Sequence, residues 1–324
     1  MLPPELPLSM RRLRVGVLGA GRTRQGLGPF LARAFEAAGC TVAAVAGRER
    51  ASAERAAAAL ARQLGHAVVV AGDALALARD VDALVVAAPV PGHLAGLDAA
   101  LAAGVPCLCE KPFVAATERD AGLARAAAFV ARGLVLHENC QWPFVLPVLF
   151  ALHPELAGQR VREVVMRLSP AWPGRTMVED SLSHVLSLVQ ALVDVPAGAV
   201  PGDVRQTNGA ADAENNDVSF TVPAATGPVA VTLHLVRCEQ QPRPAWFAVN
   251  GCRIDRRLGA DYAISFAAAD GRVHPVRDPL DQLVDAFVAA VRAPSAAAVA
   301  RHADAIATRL SLYAGVLRAL GDGG

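Results

Sequence analysis

From Leu13 to His137 the chain alternates short apolar runs with longer stretches whose apolar residues recur at helical spacing. The runs are Leu13–Leu18, Thr41–Ala46, His66–Val70, Ala83–Ala87, Val105–Cys109 and Gly133–His137, and each reads as a buried strand. Between them, Pro29–Ala38, Ala51–Leu64, Asp73–Arg79, Leu94–Ala103 and Thr117–Arg132 read as helices. Strand and helix in regular alternation predict a doubly wound parallel sheet with helices on both faces. Beyond residue 138 the pattern changes. A helix over Val145–Leu156 is followed by strands at Val161–Leu168, Val204–Thr207, Asp217–Val222, Val229–Cys238, Ala245–Val249 and Ala263–Ala268. Short turns such as Asn250-Gly251 indicate a mostly antiparallel sheet. A helix over Asp180–Leu192 interrupts the strands, and Asp278–Arg292 and Ser295–Leu320 close the chain as helices. The expected division is an α/β domain over residues 1–137 and an α+β domain over 138–324.

The first strand runs into a glycine-rich turn and then a helix, the context in which a turn can cradle a dinucleotide pyrophosphate against a helix N-terminus. Gly19 and Gly21, with Arg22 and Thr23 after them, are the candidate phosphate-binding residues. The third glycine of such a fingerprint would fall at Arg24; Gly26 and Gly28 come later, as if the loop carried a two-residue insertion. The bland alternative is a plain tight turn. The second strand ends at Gly47-Arg48-Glu49. An arginine there suits a ribose 2′-phosphate, which favours NADP over NAD; the alternative is that Arg48 opens the next helix and Glu49 serves NAD.

Two further strand ends carry candidate chemistry. The fourth strand leads to Ala88-Pro89-Val-Pro-Gly-His93, where Pro89 and His93 are expected to hold the loop or touch the cofactor. The fifth ends in Glu110-Lys111-Pro112, and proline stops the ladder because it has no N–H. Ligands bind beyond the carboxyl ends of such strands, so Glu110 and Lys111 are candidates for cofactor contact and Lys111 for chemistry as well. In the second half, Asp180 and His184 stand four apart on one helix face, a carboxylate placed to orient an imidazole. Read alone, such a pair is more often an exposed helix contact, with Asp180 near the helix start. Asn139, Trp172 and Arg175 are candidate substrate contacts, with packing or surface roles as the alternative.

Composition narrows the class. Hydrophobic residues make up 53% and charged residues 19%, which predicts a folded protein rather than a disordered one. A formal net charge of +1 and the lack of a Lys/Arg stripe argue against nucleic-acid binding. No apolar run reaches the length of a membrane span, and the first dozen residues lack the apolar core of a signal peptide. The six cysteines form no CxxC pair, so neither a metal site nor disulfides are expected, and the reading is a cytoplasmic protein.

The layout resembles the Gfo/Idh/MocA family (glucose-fructose oxidoreductase, inositol dehydrogenase and relatives). The resemblance rests on Val15-Gly-Val-Leu-Gly-Ala-Gly21, Ala88-Pro-Val-Pro-Gly-His93, Cys109-Glu-Lys-Pro112 and Asp180-Ser-Leu-Ser-His184. Asp278–Phe287 also looks like the family's returning helix. It implies a Rossmann domain followed by a substrate-binding and oligomerisation domain, and a homodimer or homotetramer. It further implies that Lys111 lies against the nicotinamide and the substrate hydroxyl, and that His184 exchanges the proton with Asp180 beside it. The activity implied is NAD(P)-dependent hydride transfer at a secondary alcohol or ketone of a sugar, cyclitol or related polyol. Two alternatives stand beside it: a glycoside-cleaving relative that uses bound NAD without net redox, and a non-catalytic nucleotide-binding sensor or scaffold on the same fold. The chain departs from the family pattern in its lengthened phosphate loop and in Ser169–Arg175, which lacks the glycine-rich run many relatives have.

Overall fold

The computed structural model describes residues 11–21, 26–259 and 263–321. Two compact units are present: the chain up to Asn139 together with Leu280–Ile306, and Cys140–Pro279 together with the chain from Ala307. The sequence pattern divides the chain once, near residue 138; the structure also returns residues 280–306 to the first unit.

The first unit is built from β1 (Arg14–Leu18), α1 (Gly28–Ala37), β2 (Thr41–Ala46), α2 (Arg50–Leu64), β3 (Val69–Val70), α3 (Ala74–Arg79), β4 (Ala83–Val86), α4 (His93–Ala103), β5 (Cys107–Cys109), α5 (Arg119–Ala131) and β6 (Leu136–Glu138). Its six strands pair in the order β3-β2-β1-β4-β5-β6, all parallel. The order reverses between β1 and β4, and this reversal opens a crevice beyond the strand ends. Val15, Val17, Val45, Leu84, Val85 and Leu108 fill the sheet, which is why these strands read as continuous apolar runs. His66–Val70 forms only the two-residue β3 at the sheet edge. Residues from the far end of the chain complete this core. Phe287 meets Phe35 edge-on at 5.9 Å and His137 at 5.4 Å, and the His137 ring lies 4.0 Å from that of His302, tilted by 42°.

The second unit begins with α6 (Leu146–Leu152) and continues through β7 (Glu163–Leu168), α7 (Gly174–Leu192), β8 (Gly202–Thr207), β9 (Asn215–Val222), β10 (Val229–Val236), β11 (Trp246–Val249), β12 (Cys252–Leu258), β13 (Ile264–Ala268) and β14 (Val273–Val276). Two helices close the described chain, α8 (Pro279–Arg292) and α9 (Ala296–Gly321). The eight strands run β14-β13-β12-β11-β7-β10-β9-β8 and are antiparallel except for the central β7–β10 pair. Strict alternation in β9 and β10 buries Val218, Phe220, Val231 and Leu233 on one face.

Three departures from the sequence reading have local causes. β12 is missed because Asp255-Arg256-Arg257 puts three charged residues in a row, which breaks the alternation and makes the run look like a polar loop. β14 contains Pro275, and it is tolerated because the strand lies at the sheet edge. Helix α7 starts at Gly174, not Asp180. Gly174 holds a φ of 60°, and an added Cβ would sit 2.1 Å from the Ala211 carbonyl oxygen, so only glycine starts the helix in this place.

Candidate active site

In the first unit the site is built on the carboxyl ends of β1, β2, β4, β5 and β6. Gly19 follows β1 with a φ of 87°, its N–H donating to the Ala46 carbonyl at 2.9 Å. A Cβ there would fall 2.5 Å from the Ala88 backbone, so the turn comes too close to the neighbouring strand end for any side chain. Gly28 opens α1, and a Cβ on it would stand 2.6 Å from Ala20 Cα and 2.8 Å from the Gly19 oxygen. Gly28 therefore performs the close helix-to-turn packing expected of a third fingerprint glycine. That places it four positions after Arg24, so the insertion is four residues rather than two. Gly21 lies in the turn; Arg22 and Thr23 are outside the described residues. The cradle that these glycines leave fits a pyrophosphate at the start of α1.

Arg48 follows β2 and is exposed, with its side chain 3.4 Å from Glu49. Pro89 opens the turn after β4, which is closed by the Gly92 N–H donating to the Pro89 carbonyl at 2.7 Å. His93 is 1% exposed, and its ring spans two loops. Nε2 lies 2.8 Å from the Ala88 oxygen, while Nδ1 lies 3.0 Å from the Pro112 oxygen and 3.1 Å from the Phe113 oxygen. Burial, opposed by these carbonyls, holds the ring below the ordinary histidine range. The buried ring sits between backbone carbonyls of the loop after β4 and of the loop after β5, and in its neutral form it donates its one N–H to one of the two sides.

Lys111 stands in that second loop, joined to Pro112 by a cis peptide bond. Buried polar side chains surround the loop. The Asn139 amide donates to the Glu110 carboxylate, and the Phe113 N–H donates to Glu138 Oε1 at 3.1 Å. Asn139 is 1% exposed, and its own N–H donates to the Cys109 carbonyl at 2.8 Å. Asn139 is thus a positioning residue for Glu110. Glu138 is a part of this frame that the sequence reading missed; its only signal was a carboxylate at the end of an apolar strand. Burial raises the Cys107 and Cys109 thiols above their usual range, so both serve as packing.

In the second unit, Asp180 and His184 lie in the middle of α7, one turn apart, and both are partly exposed. The His184 ring meets Trp142 edge-on at 6.5 Å, and Trp142 packs in turn on Phe247 at 5.8 Å and Phe266 at 6.2 Å. An aromatic wall thus backs the imidazole, while Ser183, Leu186 and Leu188 bury the rest of the helix. Arg175 donates to Glu179 Oε1 at 3.3 Å and to the Leu317 carbonyl at 2.7 Å, which ties α7 to α9. Trp172 is 44% exposed just before the helix.

Comparison with known proteins agrees with this construction. Residues 13–136 match the family described as "Oxidoreductase family, NAD-binding Rossmann fold" (GFO_IDH_MocA). The chain is 30% identical over 236 residues to UDP-N-acetylglucosamine 3-dehydrogenase from Acidithiobacillus ferrooxidans, covering 72% of this chain and 70% of that protein. A solved structure of that relative superposes with a TM-score of 0.63 at 26% identity, covering 95% of this chain and all of that one. Inositol 2-dehydrogenase 4 from Saccharopolyspora erythraea is 29% identical over 72% of each chain. Inositol 2-dehydrogenase from Rhodococcus erythropolis is 31% identical over 38% of this chain, a match that spans only 37% of that protein's length. Among the described residues no helix is long and apolar enough to cross a membrane. With the glycine cradle, the Glu-Lys-Pro loop and these relatives in agreement, the chain belongs to the Gfo/Idh/MocA family of oxidoreductases, whose nucleotide domain is an NAD-binding Rossmann fold.

Proposed function

We propose that this protein is a nicotinamide-dependent dehydrogenase or reductase acting on a secondary alcohol or ketone of a sugar, cyclitol or related polyol. One observation carries the reading: Lys111 is presented at the carboxyl end of a central parallel strand by a loop whose backbone and neighbours are fixed by His93, Glu110, Glu138 and Asn139. A lysine on an ordinary surface loop needs no such frame. The relatives named inositol 2-dehydrogenase and UDP-N-acetylglucosamine 3-dehydrogenase support the substrate class.

In this reading Gly19, Gly21 and the start of α1 hold the pyrophosphate, and Arg48 grips a 2′-phosphate, so that NADP is preferred to NAD. When bound, the nicotinamide supplies the hydride acceptor. A carbinol carbon gives up hydride only as its O–H proton is removed, so a base must reach that oxygen. His184 takes this proton, and Asp180 orients its ring. Lys111 stabilises the negative charge that develops on the same oxygen. Trp172 and Arg175 border the substrate, and the chain acts as a homodimer or homotetramer.

The test is a panel of polyols, cyclitols and nucleotide sugars offered with NAD+ and with NADP+, followed by the absorbance of the reduced nicotinamide. Accumulation of reduced cofactor with at least one secondary alcohol is the expected result. Product formation from a glycoside with no reduced cofactor would replace this reading with bond cleavage through transient oxidation.

A further inference from the structure

A second constellation lies in the second unit, on elements that the hydride chemistry does not use. Helix α6 ends at Leu152, and His153 caps it with its N–H donating to the Leu149 carbonyl at 2.8 Å. Pro154 then fixes a short 3-10 turn, Pro154–Leu156, which projects Glu155 two residues beyond the histidine. Cys252 is the first residue of β12, immediately after the Asn250-Gly251 turn. The donor atoms of His153, Glu155 and Cys252 all lie within 4.8 Å of one another. His153 Nδ1 is 2.9 Å from Glu155 Oε1, and Cys252 Sγ is 3.5 Å from the same oxygen.

The orientation of the imidazole adds an independent argument. His153 Nε2 lies 3.1 Å from the Arg253 carbonyl oxygen. A carbonyl only accepts, so Nε2 carries the proton, and a neutral ring then turns its Nδ1 lone pair toward a carboxylate oxygen that also only accepts. Two acceptors at 2.9 Å repel unless a positive charge sits on the ring or between them. Metal-binding histidines show this second-shell arrangement: one ring nitrogen faces the ion, and the other donates to a backbone carbonyl.

The frame is held in place before any ion arrives. Asn250 Oδ1 accepts from the Arg162 N–H at 2.8 Å, and its Nδ2 donates to the Arg160 carbonyl at 2.8 Å, which fixes the turn that delivers Cys252. Gln159 Nε2 donates to the Glu155 carbonyl at 2.7 Å, which fixes the other side.

We propose that His153 Nδ1, Glu155 Oε1 and Cys252 Sγ form a binding site for a borderline-soft divalent cation of the zinc type. One thiolate, one imidazole and one carboxylate are a donor set for Zn²⁺ rather than for Mg²⁺ or Ca²⁺, which take oxygen ligands. The ion replaces the proton of the Cys252 thiol and ties the end of α6 to the start of β12. Cysteine spacing alone argued against a metal site, because the three donors come from segments about a hundred residues apart and only the fold brings them together.

The test uses Co²⁺ as a spectroscopic probe and Zn²⁺ as competitor on the full chain. One equivalent of Co²⁺ should produce a thiolate-to-metal charge-transfer band, which Zn²⁺ then bleaches. The band should be absent in Cys252→Ser, persist in Cys238→Ser, and need at least roughly tenfold more Co²⁺ in His153→Ala and Glu155→Gln. On the unaltered chain, Zn²⁺ should slow alkylation of Cys252, read by peptide mass spectrometry, and leave Cys238 unaffected. No charge-transfer band at saturating Co²⁺, a band that survives Cys252→Ser, or Zn²⁺ without effect on Cys252 alkylation would each overturn the proposal.

Discussion

His93 Nε2 lies 2.8 Å from the Ala88 carbonyl oxygen, so one buried ring holds the end of the β4 loop while its Nδ1 holds the loop that carries Lys111. Replacing it with leucine removes the ring's N–H from a buried carbonyl, at a cost of about 1–3 kcal/mol. His93→Leu should lower the unfolding free energy read from urea denaturation by that amount, seen as a lower midpoint at unchanged slope. It should also weaken cofactor binding, measured by fluorescence titration. A variant with unchanged midpoint and unchanged cofactor affinity would show that the tie is dispensable.

Gly28 and Gly72 offer a controlled comparison. A Cβ at Gly28 would stand 2.6 Å from the Ala20 Cα, whereas Gly72 has nothing within 4 Å. Gly28→Ala should abolish or strongly weaken dinucleotide binding by pushing α1 away from the turn. Gly72→Ala should bind normally and be stabilised by a few tenths to about 1 kcal/mol through its stiffer unfolded chain. Calorimetric titration of both variants decides the matter.

Lys111→Ala and His184→Ala should each lower kcat by roughly two to four powers of ten while leaving cofactor affinity little changed. The double variant should lose much less than the product of the single losses if, as proposed, both residues act on the same oxygen. Asp180→Asn should be milder and should move the pH dependence of kcat/KM. Full turnover in His184→Ala would remove it from the proposed proton path.

Cofactor choice is tested at the end of β2. Arg48→Asp should weaken NADP(H) by at least tenfold and spare NAD(H), since a charge-assisted contact is worth about 1.5–3 kcal/mol. An equal effect on both cofactors would shift the ribose contact to Glu49.

Acid sensitivity follows from His137. Burial, with His302 beside it, pushes its pKa from 6.5 down to about 3. Above pH 6.5 the ring is neutral in both folded and unfolded chains and costs nothing. Below that, the unfolded chain takes up a proton that the folded chain refuses, so stability falls with pH until about 3. The loss at pH 5 is about 2 kcal/mol for this group. His137→Leu should therefore lose less stability than the parent chain between pH 7.5 and pH 5, measured by urea denaturation. Parallel curves for the two proteins would exclude His137 as a source of acid sensitivity.

The Rossmann half was legible because each of its strands is buried on both faces and reads as an unbroken apolar run. The second half was legible only where one face is wet and the other dry, as in β9 and β10. β12, where three consecutive charges at Asp255-Arg256-Arg257 break the alternation, and β14, with an internal proline, carry the opposite local signal and are strands only because neighbours pair with them. Lys111, Asp180 and His184 stood out by residue type and spacing. His93 was expected to hold its loop, but Gly28 and the roles of Glu138 and Asn139 did not stand out, because each depends on a partner 25 or more residues away, or on a packing distance that spacing does not encode.

The return of residues 280–306 to the first unit has a consequence for synthesis. Chains emerge from the ribosome N-terminus first, and domains usually fold in that order. Here the nucleotide-binding unit must wait until residues 140–279 of the second unit have been translated. Until Phe287 arrives, Phe35 and His137 lack the ring that covers them in the finished fold. A nascent or prematurely terminated chain therefore carries an open apolar seam, a surface for chaperones while synthesis continues and for proteases if it stops.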